Sequence, residues 1–286
     1  MNQKPRLLFL QVKINPPGGG QSVAAWGLEA LKADYEITLL TWKPPQWDEI
    51  NRYYGTQLQP SQFRTMQIPA WVRRLAALDP DPYSILPLAI LIRAARWSAH
   101  RADLAVSFND ECDVGVHAIQ YIHYPWLTRY YRDKRTFTAA PRGERLKYLV
   151  ECHYRPWRLL SGFDFERMRH NVTLVNSDWT GNAFQTNYGM PTQTVYPPVL
   201  RRPFPIAWQA RENGFVCIGR ISPEKKYERI IAILQAVRQR GHDVHLHVVG
   251  GMNENERGAN YYYEIRALIE QHAEWVSFLK TLRGRI

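Results

Sequence analysis

Residues 214–251 read GFVCIGRISPEKKYERIIAILQAVRQRGHDVHLHVVGG, and the fold is decided here. An apolar run at 215–218 breaks at Gly219, and Arg220 and Lys225 follow. Ile230, Ile231, Leu234 and Val237 then recur at helical spacing as far as Gly241. A second apolar run, 244–249, closes on Gly250-Gly251. The pattern predicts strand, loop, helix, strand, the unit from which parallel sheets are built. Both cations fall in the loop beyond the carboxyl end of the first strand, where open α/β sheets bind ligands. A planar Arg and a flexible Lys at such an edge suit a diphosphate. The plainer alternative is a βαβ unit carrying two solvated cations.

Working outward, the chain has 286 residues, 45% of them hydrophobic, enough for two ordinary domains with real cores. No run approaches the ~20 apolar residues of a membrane span. The longest candidate, 85–92, contains Pro87 and stops at Arg93, so it reads as the start of a core helix or a membrane-surface segment. The N-terminus carries no secretory cleavage signature. Cys112, Cys152 and Cys217 are scattered, without metal-ligand spacing, and read as reduced thiols of a cytoplasmic protein. The net charge of +11 is uneven: residues 129–169 hold eleven Lys/Arg against five Asp/Glu, interleaved with aromatics. That segment fits a face for anionic lipid or a phosphate-bearing acceptor, or a solvated helix exterior. Nucleic acid ranks last, because no recognised nucleic-acid module accompanies the charge.

The first half predicts strands at 7–12, 37–42, 104–108, 118–122 and 172–175. Helices are expected at 22–33, 71–78, 83–100 and 144–170, and from the cap Ser177 to Tyr188. Residues 43–69 show no period and read as a long loop or small subdomain. Gly18-Gly19-Gly20 lies between the first strand and the first helix, where a Gly-rich turn lets backbone N–H groups approach a phosphate. Its spacing is neither that of a P-loop nor of a dinucleotide fingerprint. The organisation expected is a first domain over 1–200, a linker over 201–213 rich in Arg and Pro, and a second domain over 214–286.

Gln120-Tyr121-Ile122-His123-Tyr124-Pro125 places a His at a strand end, before a Pro-forced turn. Taken alone, such a His is more often structural than functional. Joined with Gly19-Gly20, Gly219-Arg220 and Lys225, Asn176-Ser177-x-Trp179-Thr180 and Val195-Tyr196-Pro197-Pro198-Val199, it makes a pattern running from about Gly18 to Phe278. This pattern resembles the family 4 glycosyltransferases of the GT-B fold. Its local motifs are most similar to the mannosyltransferases that act on lipid-linked oligosaccharides. The resemblance implies an α/β fold of GT-B type, with two Rossmann-like domains. It implies transfer of a sugar from a nucleotide-diphosphate donor, GDP-mannose in the mannosyltransferases, to the hydroxyl of a lipid-linked or glycan acceptor. Gly19, Gly20, Arg220 and Lys225 would bind the donor diphosphate, and His123 would be the catalytic residue beside the sugar. No metal and no cofactor apart from the nucleotide-sugar substrate is implied. The location expected is cytoplasmic, peripheral on the inner face of an anionic membrane, with no nucleic-acid partner.

Other patterns are weaker. Asp79-Pro80-Asp81 has an acid-x-acid form but reads as a turn, and Glu151-Cys152-His153 lacks nucleophile–base geometry. Asp110, Glu111 and Asp113 read as a solvated loop, one of them near the acceptor hydroxyl. His245 and His247 share a strand face without a third metal ligand nearby. The family's second domain also carries a pair of donor-binding glutamates further on, and the sequence stops soon after a third strand at 275–278. The expectation is therefore an incomplete second domain, of roughly 70 residues where about 100 or more are usual, inactive by itself. Val216, Ile218, Leu246 and Val248 would be poorly covered, and Leu268 and Ile269 would have little to pack on. The alternative function is a non-catalytic truncated scaffold that binds a membrane surface or glycan.

Overall fold

A central parallel strand must be apolar on both faces, and β1 (Arg6–Gln11) is buried everywhere after Arg6. The computed structural model describes residues 4–79, 85–130, 154–199, 207–251 and 259–279. Their contacts divide the chain into two units, Met1–Arg201 and Arg202–Ile286.

In the first unit β1 is followed by α1 (Gly19–Leu31), β2 (Glu36–Thr41), α2 (Trp47–Tyr54), β3 (Phe63–Gln67) and α3 (Ala70–Ala76). Next come α4 (Leu86–Ala99), β4 (Leu104–Ser107), β5 (Ile119–Ile122), α5 (Tyr154–Ser161) and α6 (Phe165–Met168). β6 (Val172–Val175), α7 (Asp178–Tyr188) and β7 (Gln193–Thr194) complete it. The strands form one seven-stranded sheet in the order β3-β2-β1-β4-β5-β6-β7, with every pair parallel. Alternation along β1 sorts the core into two layers. Leu7 and Phe9 pack with Ala24 and Leu28 of α1 and Ile50 of α2. Leu8 and Leu10 pack on the other face with Leu91, Ala95 and Ala99 of α4. A third cluster, around Ile122, Val175, Phe184 and Tyr188, covers the β5–β6 side.

The strand order has one functional consequence. The chain adds β2 and β3 on one side of β1 and then returns to place β4 on the other. The order therefore reverses between β1 and β4, and ligands of open parallel sheets bind beyond the carboxyl ends of the strands at such a reversal.

The region 43–69, expected to be a long loop or small subdomain, holds α2 and β3. β3 escapes a pattern reading because it is the sheet's edge strand. Only Phe63 of its five residues is buried, so Arg64, Thr65 and Gln67 break the apolar run that marks an inner strand. The helix expected over 144–170 lies partly outside the described residues. Its described part is broken at Gly162, whose φ of 70° stops α5 before α6.

The second unit contains β8 (Gly214–Ile218), α8 (Tyr227–Gln239), β9 (His245–Val249), α9 (Ala259–Gln271) and β10 (Val276–Leu279). Its sheet runs β10-β9-β8, again parallel. Because the strands follow one another without reversal, right-handed crossovers put both helices on the same face. There Leu246 and Val248 pack against Ile231 and Leu234 of α8 and Ile265 and Ile269 of α9. On the opposite face Val216 and Ile218 are 60% and 71% exposed. The expectation of poor cover thus holds for Val216 and Ile218 and fails for Leu246, Val248 and Ile269, which α8 and α9 bury.

Candidate functional site

The first turn of α1 lies directly after the loop that leaves β1. Gly19 and Gly20 were expected in a loop with a helix beginning near Ser22, but the helix begins at Gly19. Both glycines therefore supply N–H groups to a helix N-terminus, where the first four amides have no intrahelical acceptor. The cap residue Gly18 makes no side-chain cap, and no acidic residue lies in the first turn. Gly18 has φ 158° and ψ 149°, a backbone conformation that residues with a Cβ rarely adopt, so the turn favours glycine. A Cβ on Gly19 would meet nothing within 4 Å.

His123 follows β5 and sits against this turn. A Cβ on Gly20 would lie 3.3 Å from His123 Nε2 and 3.5 Å from Cε1. Two residues proposed from separate motifs, about a hundred positions apart, thus meet at the sheet reversal. The backbone around His123 is held from both sides. The N–H groups of His123 and Tyr124 donate to Asp110 Oδ1 at 2.6 and 3.1 Å, and Asn176 Nδ2 donates to the His123 carbonyl at 2.9 Å. The Tyr121 ring packs edge-on to the imidazole, centroids 5.1 Å apart. His123 Nε2 is buried and makes no hydrogen bond among the described residues. A buried ring nitrogen left open beside uncapped helix amides is a pair of groups suited to a polar, anionic ligand.

Asp110, Glu111 and Asp113 are not a solvated loop. Glu111 is 0% and Asp113 2% exposed. Asp110 adopts φ 59°, a left-handed conformation that Asp tolerates better than most residues, and this turns its carboxylate toward the end of β5. Burial raises its pKa above the ordinary carboxylate value, against the opposing pull of His123 and the two N–H bonds. Glu111 accepts from Leu127 N–H at 3.0 Å, Trp126 N–H at 3.2 Å and the Tyr188 hydroxyl at 2.7 Å. Burial, with the Asp110 charge adding to it, pushes the Glu111 carboxyl up to about 7. Asp113 binds Arg167 at 2.8 Å and Arg96 at 3.2 Å. Asp110 and Glu111 are held inside by backbone donors, and Asp113 by two arginines that stay partly exposed. Sequence reading missed Asp110 and Asn176 as supports of His123. The signal was the pair Asn109-Asp110 after a strand: Asn109 Oδ1 receives the Val12 N–H at 2.9 Å, so one loop ties the exits of β1 and β5.

In the second unit Arg220 and Lys225 share loop 219–226, between β8 and α8. Both are exposed, and Arg220 Nη2 lies 3.4 Å from Glu224 Oε1. The loop is anchored beneath them. Ile221 N–H donates to the Gly251 carbonyl at 3.1 Å and the Tyr227 hydroxyl to the Gly219 carbonyl at 3.2 Å. A Cβ on Gly250 would stand 1.8 Å from the Gly219 oxygen, so the close approach of the two strand ends requires glycine. His247 bridges Ser277 Oγ at 2.6 Å and Glu212 Oε2 at 2.8 Å. Among the described residues no cluster of three or more His, Cys, Asp or Glu has the arrangement of a metal site. Asp81 and Glu151-Cys152-His153 lie outside the described residues, as do 131–153 of the basic segment. Of the cations in that segment which are described, Arg158 pairs with Asp164 at 3.5 Å and Arg167 with Asp113.

No protein-family model matches the sequence, and no curated protein matches it. Solved structures do match. Anabaena HepE in complex with UDP and glucose is 14% identical, with a TM-score of 0.56 over 98% of this chain and 70% of that one. TarM of S. aureus is 10% identical, with a TM-score of 0.56 over 99% of this chain and 78% of that one. A glycosyltransferase from Rickettsia africae is 10% identical, with a TM-score of 0.53 over 99% and 69%. Together with the two parallel sheets, these likenesses define an α/β fold of the GT-B type. Among the described residues no helix is long and apolar enough to cross a membrane.

Proposed function

We propose that this protein binds a nucleoside-diphosphate sugar and transfers the sugar to an acceptor hydroxyl. The observation that carries the reading is the contact of Gly20 with the His123 imidazole at the reversal of the first sheet. When a diphosphate leaves, negative charge develops on its oxygens. Amide N–H groups already fixed at the start of α1 stabilise that charge without reorganising, a contribution of about 3 kcal/mol per well-placed donor. Arg220 and Lys225 are the proposed phosphate ligands of the second unit, each able to form charge-assisted hydrogen bonds. His123, whose Nε2 is unpaired beside Gly20, is the residue proposed to hold a sugar hydroxyl near the reacting carbon.

HepE was crystallised with UDP and with UDP-glucose, which supports a nucleoside diphosphate as the ligand class. The mannosyltransferase-like motifs favour GDP-mannose and a lipid-linked or glycan acceptor. Calorimetric titration of the purified chain with UDP, GDP, UDP-glucose and GDP-mannose tests the proposal. Binding of at least one, weakened at least ~10-fold by His123→Ala, is expected from loss of one buried polar partner. Binding of none contradicts it.

A further inference from the structure

On the open face of the second sheet, three side chains form one hydrogen-bonded row. Strand register sets Val216 of β8, His247 of β9 and Ser277 of β10 side by side. Alternation turns Ser277 and Leu279 to this face, while Val276 and Phe278 pack with the helices on the other. Ser277 is exposed, and its Oγ lies 2.6 Å from His247 Nδ1. The other ring nitrogen, Nε2, lies 2.8 Å from Glu212 Oε2. Glu212 precedes β8, and its neighbour Asn213 pins the segment to β9. The Asn213 carbonyl accepts from His245 N–H at 3.1 Å, and its Nδ2 donates to the Asp243 carbonyl at 2.6 Å. A carboxylate only accepts, so the proton of the neutral imidazole sits on Nε2 and leaves Nδ1 as the acceptor for the Ser277 hydroxyl. The row thus selects the tautomer that a general base needs.

We propose that Ser277 is a nucleophile, with His247 as its general base, acting on carboxylic esters that carry a small apolar acyl group. Nucleophile, base and orienting carboxylate in hydrogen-bonded sequence are the arrangement that covalent acyl transfer requires. Ser277 Oγ attacks the ester carbonyl carbon as its proton passes to His247 Nδ1, and Glu212 stabilises the imidazolium that results. The adduct collapses, the bond to the alcohol oxygen breaks, and the alcohol leaves with that proton. Water then adds to the acyl-serine by the same route, releasing the acid and restoring the hydroxyl. The edge position of β10 provides a donor for the charge that develops on the carbonyl oxygen. The Trp275 and Leu279 carbonyls accept from the N–H groups of Leu246 and Gly250, so alternate residues of β10 face β9. The Phe278 N–H, directly after the nucleophile, therefore points away from β9, and among the described residues no strand pairs with that edge. Exposed Val216, Ile218 and Leu279 flank the row and offer apolar surface to the acyl group. This site lies within the second unit and does not depend on the nucleotide-sugar reading.

The test is labelling of the purified chain with a fluorophosphonate probe, whose fluoride an activated serine displaces, alongside hydrolysis of p-nitrophenyl butyrate. Peptide mass spectrometry should place the label on Ser277. His247→Gln should slow labelling at least ~10-fold, a modest share of what general-base assistance contributes in enclosed sites. Glu212→Gln should slow it several-fold, and Glu212→Asp, which keeps the carboxylate, by less. The parent should hydrolyse the ester at least ~10-fold faster than Ser277→Ala. Ser277 and Glu212 are exposed and His247 partly so, and thermal melts of all variants should match the parent. No label on Ser277, undiminished labelling of His247→Gln, or ester hydrolysis by Ser277→Ala at the parental rate overturns the proposal. Equal losses in the two Glu212 variants overturn the orienting role of that carboxylate.

Discussion

The imidazole of His123 rests on Gly20: a methyl group built on that glycine would stand 3.3 Å from Nε2, tighter than ordinary van der Waals contact. This contact joins the N-terminus of α1 to the exit of β5 on either side of the sheet reversal. Gly20→Ala therefore opposes two effects. Replacing glycine within a helix adds about 0.5–1 kcal/mol through the unfolded chain. Against that, the imidazole must move by a few tenths of an ångström. Thermal stability should stay within about 1 kcal/mol of the parent, while nucleoside-diphosphate affinity should fall by ~10-fold through misplacement of His123. Calorimetry and thermal melts on the same sample measure both. Parental affinity in Gly20→Ala would remove the contact from the binding account.

Asp110 supports His123 through its backbone. Asp110→Ala leaves two N–H groups without their acceptor and puts a residue with a Cβ but no local hydrogen bond at φ 59°. A loss of about 2–4 kcal/mol is expected from unpaired donors and left-handed strain together. Asp110→Asn keeps an acceptor oxygen and tolerates the same φ, so it should lose less than half as much. Chemical denaturation distinguishes them, and equal losses would show that the Asp110 carbonyl-like acceptor is not what matters.

Glu111 makes stability depend on pH in an unusual direction. Burial raises its folded pKa to about 7, above the ordinary carboxyl value of 4.5. Between these two values the folded state holds a proton that the unfolded state has released. Stability from this group is therefore fully present below pH ~4.5 and is lost as pH rises to about 7, a change of the order of 3 kcal/mol. Glu111→Gln cannot titrate and should flatten this part of the profile, at the loss of one acceptor among Trp126, Leu127 and Tyr188. Denaturation midpoints from pH 4.5 to 8 provide the test. A parallel decline in parent and variant would place the pH dependence elsewhere.

Arg220 and Lys225 sit on an exposed loop whose anchors are backbone atoms and Tyr227. Alanine at either position should change folding stability by no more than about 0.5 kcal/mol, as exposed ion pairs contribute little. Affinity for UDP or GDP should fall ~10-fold for each, since a charge-assisted bond to phosphate is lost. Unchanged affinity in both variants would withdraw these residues from phosphate binding.

How much of this was legible beforehand follows from what leaves a pattern in sequence. Inner strands such as β1 and β9 announce themselves as apolar runs, and α8 by its 3.6-residue period, so the α/β class was readable from 214–251 outward. The edge strand β3 was not, because its Arg64, Thr65 and Gln67 face solvent and erase the run. Gly20 and His123 could each be picked from local motifs, but only the strand order brings them together. The acids of 110–113 misled because composition cannot distinguish a solvated carboxylate from one buried against backbone donors. Asp113, held by Arg96 and Arg167, shows that three-dimensional context alone decides this.

The central claim is that a nucleoside diphosphate binds where Gly20 meets His123. Nuclear magnetic resonance of the chain, with the His123 ring assigned by comparison with His123→Ala, tests it directly. Saturating UDP or GDP should shift the His123 imidazole resonances and the Gly19 and Gly20 amides, and the shifts should be absent in His123→Ala for the ring and reduced for the amides. Nucleotide binding that leaves the His123 ring and both glycine amides unmoved would contradict the account.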